Sequence, residues 1–194
     1  MEFANKTFIV TGASSGIGAA AAFLLASRGA NVVLGARREM ELARIAGQIE
    51  QSNGRAIWQK SDVTKKDDMT ALVALAESEF GGLDGAFNNA GLVGEMGPCE
   101  GQTVENWDAV IATNLTSAFL CAQTQIPALK RRGGGAMVMT SSFVGVSNGG
   151  MAGMSPYAAA KAGVVGLVQN LAVELAREAI RVNAVLPGGT DTAM

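Results

Sequence analysis

Apolar residues recur along this chain in two alternating periods. Short β-branched runs, bounded by Gly, Asn and Thr, are followed by longer stretches with apolar residues every three to four positions. Thr7-Phe8-Ile9-Val10, ending at Thr11-Gly12, predicts a buried first strand. Residues 17–28, rich in Ala and Leu and stopped by Gly29, predict a helix. A second strand follows at 31–34. Leu42, Ile45, Ala46 and Ile49 then share one helical face that closes near Gly54. Residues 55–61 give a third strand. Thr64-Lys65-Lys66-Asp67 predicts a capping box opening a helix with Met69, Leu72, Val73, Ala76 and Phe80 inward, ended by Gly81-Gly82. Residues 83–87 give a fourth strand, followed by the loop Asn88-Asn89-Ala90-Gly91. A long helix is expected over 104–132, bent at Pro127. Residues 136–140 give a fifth strand. Ser155-Pro156 predicts an N-cap and N1 proline for a helix burying Val164, Leu167, Val168, Leu171 and Leu175. Residues 180–186 form the sixth strand.

Repeated strand–helix–strand units of this length predict an α/β fold, a doubly wound parallel sheet with helices on both faces. No linker, repeat or low-complexity tract divides residues 1–194, only glycine-rich patches at 133–135 and 145–153, so one domain is expected.

Composition narrows the chemistry. With 48% hydrophobic and 16% charged residues, the 194-residue chain can bury a sizeable core. Its 25 glycines follow no (G-x-y) period and belong in turns and backbone-approach loops. Histidine is absent. That excludes Ser-His-Asp and Cys-His nucleophiles and a His-ligated metal, and no metal site is expected. Acid–base chemistry falls to Tyr, Lys, Asp, Glu or Cys. A net charge of −2 offers no basic field for nucleic acid or an acidic membrane surface. Cys99 and Cys121 form no CxxC and read as free thiols of a reducing, cytoplasmic compartment. No signal peptide is visible, and no apolar run approaches the ~20 residues of a membrane span.

Thr11-Gly12-Ala13-Ser14-Ser15-Gly16-Ile17-Gly18 joins the first strand to the first helix. A glycine turn there lets backbone N–H groups and a helix N-terminus meet a pyrophosphate. Its GxxxGxG spacing differs from the general GxGxxG fingerprint, and no Gly-Lys-Ser/Thr of a Walker loop is present. The end of the second strand reads Leu34-Gly35-Ala36-Arg37-Arg38, with no acid before Glu39. A carboxylate there bonds the ribose 2′-OH of NAD, whereas a guanidinium holds the 2′-phosphate of NADP. Arg37 and Arg38 therefore favour NADP(H), with NAD(H) the alternative if both are solvated loop charges.

Tyr157, the one tyrosine, precedes Lys161 by one helical turn. A nearby ammonium is expected to lower the phenol pKa, giving an acid–base pair without histidine. On spacing alone the two could be mere neighbours on a helix face. Met151, Met154 and Phe143 could line an apolar substrate pocket near Tyr157, but methionines in a glycine-rich stretch are more often core filler, and the three are left out of the site.

Thr11-Gly12-xxx-Gly16-x-Gly18, Asn88-Asn89-Ala90-Gly91, Asn114, Ser142, Tyr157-xxx-Lys161 and Pro187-Gly188 span essentially the whole chain. In this order they resemble the short-chain dehydrogenases/reductases. The resemblance implies a three-layer Rossmann-type fold and oxidoreduction of a carbonyl/secondary-alcohol pair by hydride transfer. Tyr157 would be general acid/base, and Lys161 would hold the nicotinamide ribose and favour tyrosinate. Ser142, chosen over Ser141 because it directly precedes Phe143-Val144-Gly145, would stabilise the alkoxide. Asn114 would bend its helix and anchor a proton-relay water. Gly12, Ser14, Ser15, Gly16, Ile17 and Gly18 would cradle the pyrophosphate. Asp62 and Val63 would bracket the adenine, although Asp62 also fits a helix N-terminal acid. Asn89, Ala90 and Gly91 would line the adenosine side. Pro187, Gly188, Thr190 and Thr192 would meet nicotinamide and pyrophosphate, or else form a simple exit turn.

The resemblance also implies a homo-oligomer, a tetramer or dimer packed through the helices at 104–132 and after Tyr157. A 3-oxoacyl-thioester reductase and an NAD-dependent sugar or steroid alcohol dehydrogenase stay open, as does a non-catalytic dinucleotide sensor or scaffold. The chain is short for this family. It is expected to continue, in the natural protein, into a substrate-lid segment and a seventh strand.

Overall fold

The computed structural model describes residues 1–147 and 151–191. Six parallel strands form one sheet in the order β3-β2-β1-β4-β5-β6. They are β1 (Thr7–Thr11), β2 (Asn31–Ala36), β3 (Arg55–Lys60), β4 (Gly85–Asn88), β5 (Gly135–Thr140) and β6 (Ile180–Val185). Ile9 and Val10 in β1 and Val32, Val33 and Leu34 in β2 are fully buried, as near-continuous apolar runs in a two-sided sheet require. Ile9→Ala would cost about 2–5 kcal/mol through lost transfer energy and the cavity left behind.

Helices α1 (Gly16–Ser27) and α2 (Glu39–Gln51) cover one face through Ala22, Ala26, Leu42, Ile45 and Ile49. On the other face lie α3 (Lys66–Phe80), α5 (Ser117–Arg131) and α6 (Ser155–Glu174), packed through Met69, Leu72, Leu129 and Val164. The doubly wound α/β architecture read from the sequence is the one observed. Strand order reverses between β1, whose next strand β2 lies on one side, and β4 on the other. A crevice opens there, beyond the carboxyl ends of the strands, where ligands bind in open α/β sheets.

Three local expectations are corrected. The long helix is not broken at Pro127, which lies within α5. It is interrupted earlier, where a π-helical turn at Ala112–Thr116 separates α4 (Val104–Ile111) from α5. Asn114 sits in that turn, 2% exposed. No capping box opens α3. Lys65 is its N-cap, and the Thr64 hydroxyl donates instead to Asp62 Oδ1 at 2.8 Å. The start of α6 is displaced by one residue: Met154 occupies the N-cap, Ser155 begins the helix and Pro156 lies in its first turn, where a missing N–H costs nothing.

Candidate active site

The switch-point crevice is a cleft of about 1030 Å3 reaching from the β1–α1 turn to α6. Gly12 has φ +66°, and a Cβ there would lie 2.8 Å from Ala90 Cα. Only glycine fits that approach of the β1–α1 turn to the loop after β4. The buried Thr11 hydroxyl fixes this loop, accepting from Asn89 N at 3.0 Å and Ala90 N at 3.3 Å. The Thr140 hydroxyl donates to Asn89 Oδ1 at 3.1 Å, tying β5 to the same point. Gly12, Ser14, Ser15, Gly16 and Ile17 all line the cleft. Gly18 does not: it is buried beneath, where α1 packs on the Gly12 carbonyl and Asn89.

At the end of β2, Arg37 and Arg38 line the cleft with Ala36. Arg38 Nη2 donates to Ser14 Oγ at 2.9 Å and to Ser15 Oγ at 2.6 Å, so a guanidinium and two hydroxyls meet beside the glycine turn. Glu39 is turned away into an ion pair with Lys60 at 3.5 Å. Across the cleft lie Asp62 and Val63. Asp62 Oδ1 accepts from Thr64 N at 3.0 Å, and this bond, the Thr64 hydroxyl and nearby Arg37 hold the carboxyl below its usual range against the opposing effect of burial.

The opposite end holds Ser142, Tyr157 and Lys161. One turn of α6 places the Lys161 ammonium 5.5 Å from the Tyr157 ring centroid. Lys161 is 2% exposed and donates to the Thr140 carbonyl at 2.7 Å. Burial brings its pKa down to about 8. The phenol of Tyr157 departs from the sequence expectation: its pKa is raised, because burial penalises the phenolate more than the Ser142 hydroxyl favours it. The two adjacent serines have different surroundings. Ser141 donates to the Lys161 carbonyl at 2.7 Å and is committed to the scaffold, whereas Ser142 acts on Tyr157.

Asn89, Ala90, Gly91, Pro187, Gly188 and Thr190 also line the cleft. Asn114 does not. Its amide bonds the Leu92 backbone, and it borders a separate cavity of about 10 Å3 beneath Thr140, together with Asn88 and Cys121. Thr192 lies outside the described residues. Sequence reasoning missed Ser61, Val93, Ala109, Ala112 and Thr113 and set Met151 aside, yet all six line the cleft. Met151 is 42% exposed, so it is not core filler. Proximity to Asp62 and to the Asn89-Ala90-Gly91 loop was the available signal for Ser61 and Val93; for Met151 it was proximity to Tyr157, outweighed by the frequency of methionine as core filler.

Among the described residues no helix is long and apolar enough to cross a membrane. The family model for short chain dehydrogenases matches residues 6–194. Cyclohexanol dehydrogenase of Acinetobacter sp. (strain SE19) is 39% identical over 193 residues, covering 100% of this chain and 76% of that protein. Cis-4-hydroxycyclohexanecarboxylate dehydrogenase of Sinomonas cyclohexanicum is 43% identical over 192 residues, covering 99% and 76%. The crystal structure of levodione reductase superposes with a TM-score of 0.95 at 35% identity, over 99% of this chain and 74% of that one. The chain belongs to the short-chain dehydrogenase/reductase family and is an oxidoreductase acting on CH–OH groups.

Proposed function

We propose that this chain is an NADP(H)-dependent oxidoreductase that interconverts a ring ketone and its secondary alcohol, with Tyr157 as general acid/base. The observation that carries the reading is one continuous cleft with a guanidinium–hydroxyl cluster at one end and Ser142, Tyr157 and Lys161 at the other. The residues present suit a dinucleotide. Gly12, Gly16 and Ile17 line the cleft at the N-terminus of α1, where main-chain N–H groups suit a pyrophosphate, and Arg37, Arg38, Ser14 and Ser15 supply donors for a 2′-phosphate where a carboxylate would repel it. The second oxygen of Asp62 has no protein partner among the described residues and suits the adenine amino group, with Val63, Asn89, Ala90 and Gly91 beside it. Pro187, Gly188 and Thr190 would meet the nicotinamide half. Bound there, the nicotinamide supplies hydride to a ketone or accepts it from an alcohol.

The protein's share is protonation and orientation. At neutral pH the Tyr157 phenol keeps its proton, the form that reduction consumes, and passes it from Oη to the substrate oxygen. Ser142 donates a hydrogen bond to that oxygen as negative charge develops. Lys161, cationic below its value of about 8, would bond the ribose hydroxyls and stabilise the tyrosinate left behind. Asn114 contributes by shaping the π-turn; with its amide engaged, a proton relay there would use main-chain oxygen and water.

Val93, Ala109, Ala112 and Met151 add apolar side chains to the lining of the cleft. The similar proteins include enzymes named for cyclohexanol, cis-4-hydroxycyclohexanecarboxylate and 3beta-hydroxysteroid, each with a ring-borne hydroxyl. Both observations favour a substrate with a ring-borne hydroxyl or ketone over a thioester. Exposed Val104, Trp107 and Phe119 on α4 and α5 support a homo-oligomer, and the two unpaired cysteines support a cytoplasmic setting. A panel of cyclic ketones with NADPH and NADH tests the function. Turnover with NADPH is expected to exceed that with NADH; an NADH preference overturns the cofactor assignment, and no turnover overturns the substrate assignment.

A further inference from the structure

Two asparagines hold the loop after β4 in the same manner. Asn114 Oδ1 accepts from Leu92 N at 3.2 Å, and its Nδ2 donates to Leu92 O at 2.7 Å. Three residues along the loop, Asn106 Oδ1 accepts from Glu95 N at 2.9 Å, and its Nδ2 donates to Glu95 O at 3.1 Å. Each side-chain amide thus replaces a strand neighbour, satisfying both main-chain groups of one residue in a segment without regular structure. Asn106 Nδ2 also donates to Gln102 Oε1 at 2.6 Å, and Gln102 Nε2 donates onward to Gly97 O at 3.1 Å. Gly97 N in turn donates to Gly153 O at 3.0 Å, which joins the loop to the segment that carries Met151 and leads into α6. Gly94, at φ +80°, packs so tightly on Val110 and Asn106 that a Cβ there has no room.

The Asn106 side chain is not required to start α4. Thr103 Oγ1 already accepts from Asn106 N at 3.1 Å and caps that helix. A side chain in this position ordinarily reaches back to the N-cap N–H; here it is turned onto the loop. Between the two clamped residues stands Val93, which lines the cleft, as does Met151, six residues before Tyr157.

We propose that Asn106 is a positioning residue for substrate selection. Through Glu95, Gln102 and Gly97 it holds the Val93 wall of the cleft and links that wall to the Met151 segment, so it sets how wide a ring reaches Tyr157. The proposal rests on the reading of this end as a site for ring ketones. Asn106 touches neither the glycine turn nor the arginines, so its removal acts on substrate and not on cofactor.

The test compares wild type, Asn106→Ala, Asn106→Asp and Gln102→Ala in kcat and KM for cyclopentanone, cyclohexanone and cyclododecanone. NADPH dissociation constants, thermal midpoints and amide hydrogen exchange at Glu95 and Gly97 are measured alongside. Asn106→Ala is expected to raise KM for the preferred ring about five- to tenfold, the equivalent of one or two lost hydrogen bonds, and to flatten the ring-size preference. Its kcat and NADPH affinity stay within about twofold, while exchange at Glu95 and Gly97 accelerates. Asn106→Asp, which keeps only the acceptor toward Glu95 N, falls between. Unchanged ring-size preference in folded Asn106→Ala, or in Gln102→Ala where the former does not fold, overturns the proposal. So does loss of NADPH binding in step with the thermal midpoint, which marks a general structural role. Wild type that reduces none of these ketones overturns the substrate reading itself.

Discussion

Lys161 spends one of its three donors on the Thr140 carbonyl at 2.7 Å while standing 5.5 Å from the Tyr157 ring centroid. This anchors a buried ammonium between β5 and the site, and burial lowers its pKa from the ordinary 10.5 to about 8. Between those values the unfolded chain holds a proton that the folded chain has released. Stability therefore rises with pH across this window, by at most ~1.4 kcal/mol per pH unit. Tyr157, raised above its ordinary 10.0, acts in the opposite sense only at higher pH. Urea unfolding between about pH 7 and about pH 9.5 should show wild type gaining stability relative to Lys161→Met. Parallel curves for the two proteins would contradict the buried-lysine account.

The contact of Arg38 with Ser14 and Ser15 bears on cofactor choice. Arg38→Ala is expected to weaken NADPH binding about tenfold or more while leaving NADH binding nearly unchanged, as expected for loss of a charge-assisted bond to a 2′-phosphate. Fluorescence titration with both cofactors checks this. Equal losses would show that Arg38 only braces the loop.

Ser61 Oγ has no hydrogen-bond partner among the described residues, although the residue is 2% exposed. A buried hydroxyl left unpaired costs about 1–3 kcal/mol, so Ser61→Ala is expected to raise the unfolding free energy of the cofactor-free protein by about 1 kcal/mol. A fall in the denaturation midpoint would show that the hydroxyl has a partner after all.

The turn at Gly12 tolerates no Cβ, both for its φ of +66° and for the Ala90 backbone 2.8 Å from where that Cβ would be. Gly12→Ala is expected to separate the two loops, lowering the thermal midpoint by several degrees and abolishing NADPH binding. A stable variant with full affinity would remove the close approach from the account.

What could be read from the sequence was local. The β1–α1 turn follows from a buried run ending at Thr11-Gly12, and the Tyr157–Lys161 face follows from helical spacing; both survive in the fold. Where tertiary contacts decide, hydrophobic period and spacing were silent, and only the family resemblance placed a bend at Asn114. The π-turn at Ala112–Thr116 holds Asn114 against Leu92, a partner 22 residues earlier that no helical period announces. Thr64 leaves its capping box because Asp62, two residues away, takes both its N–H and its hydroxyl. The raised pKa of Tyr157 is a consequence of burial, which spacing to a lysine does not report. For Met151 the sequence left pocket liner and core filler as alternatives, and the packing of its segment near Gly97 decides for the cleft.

The central claim is that the Tyr157 hydroxyl carries the proton. The most direct measurement is single-turnover reduction of a cyclic ketone by Tyr157→Phe, with NADPH affinity determined on the same sample. The account predicts a loss of at least about a hundredfold in rate, the lower range for general acid catalysis, with the NADPH dissociation constant within about twofold of wild type. Retained turnover at unchanged cofactor affinity would contradict it.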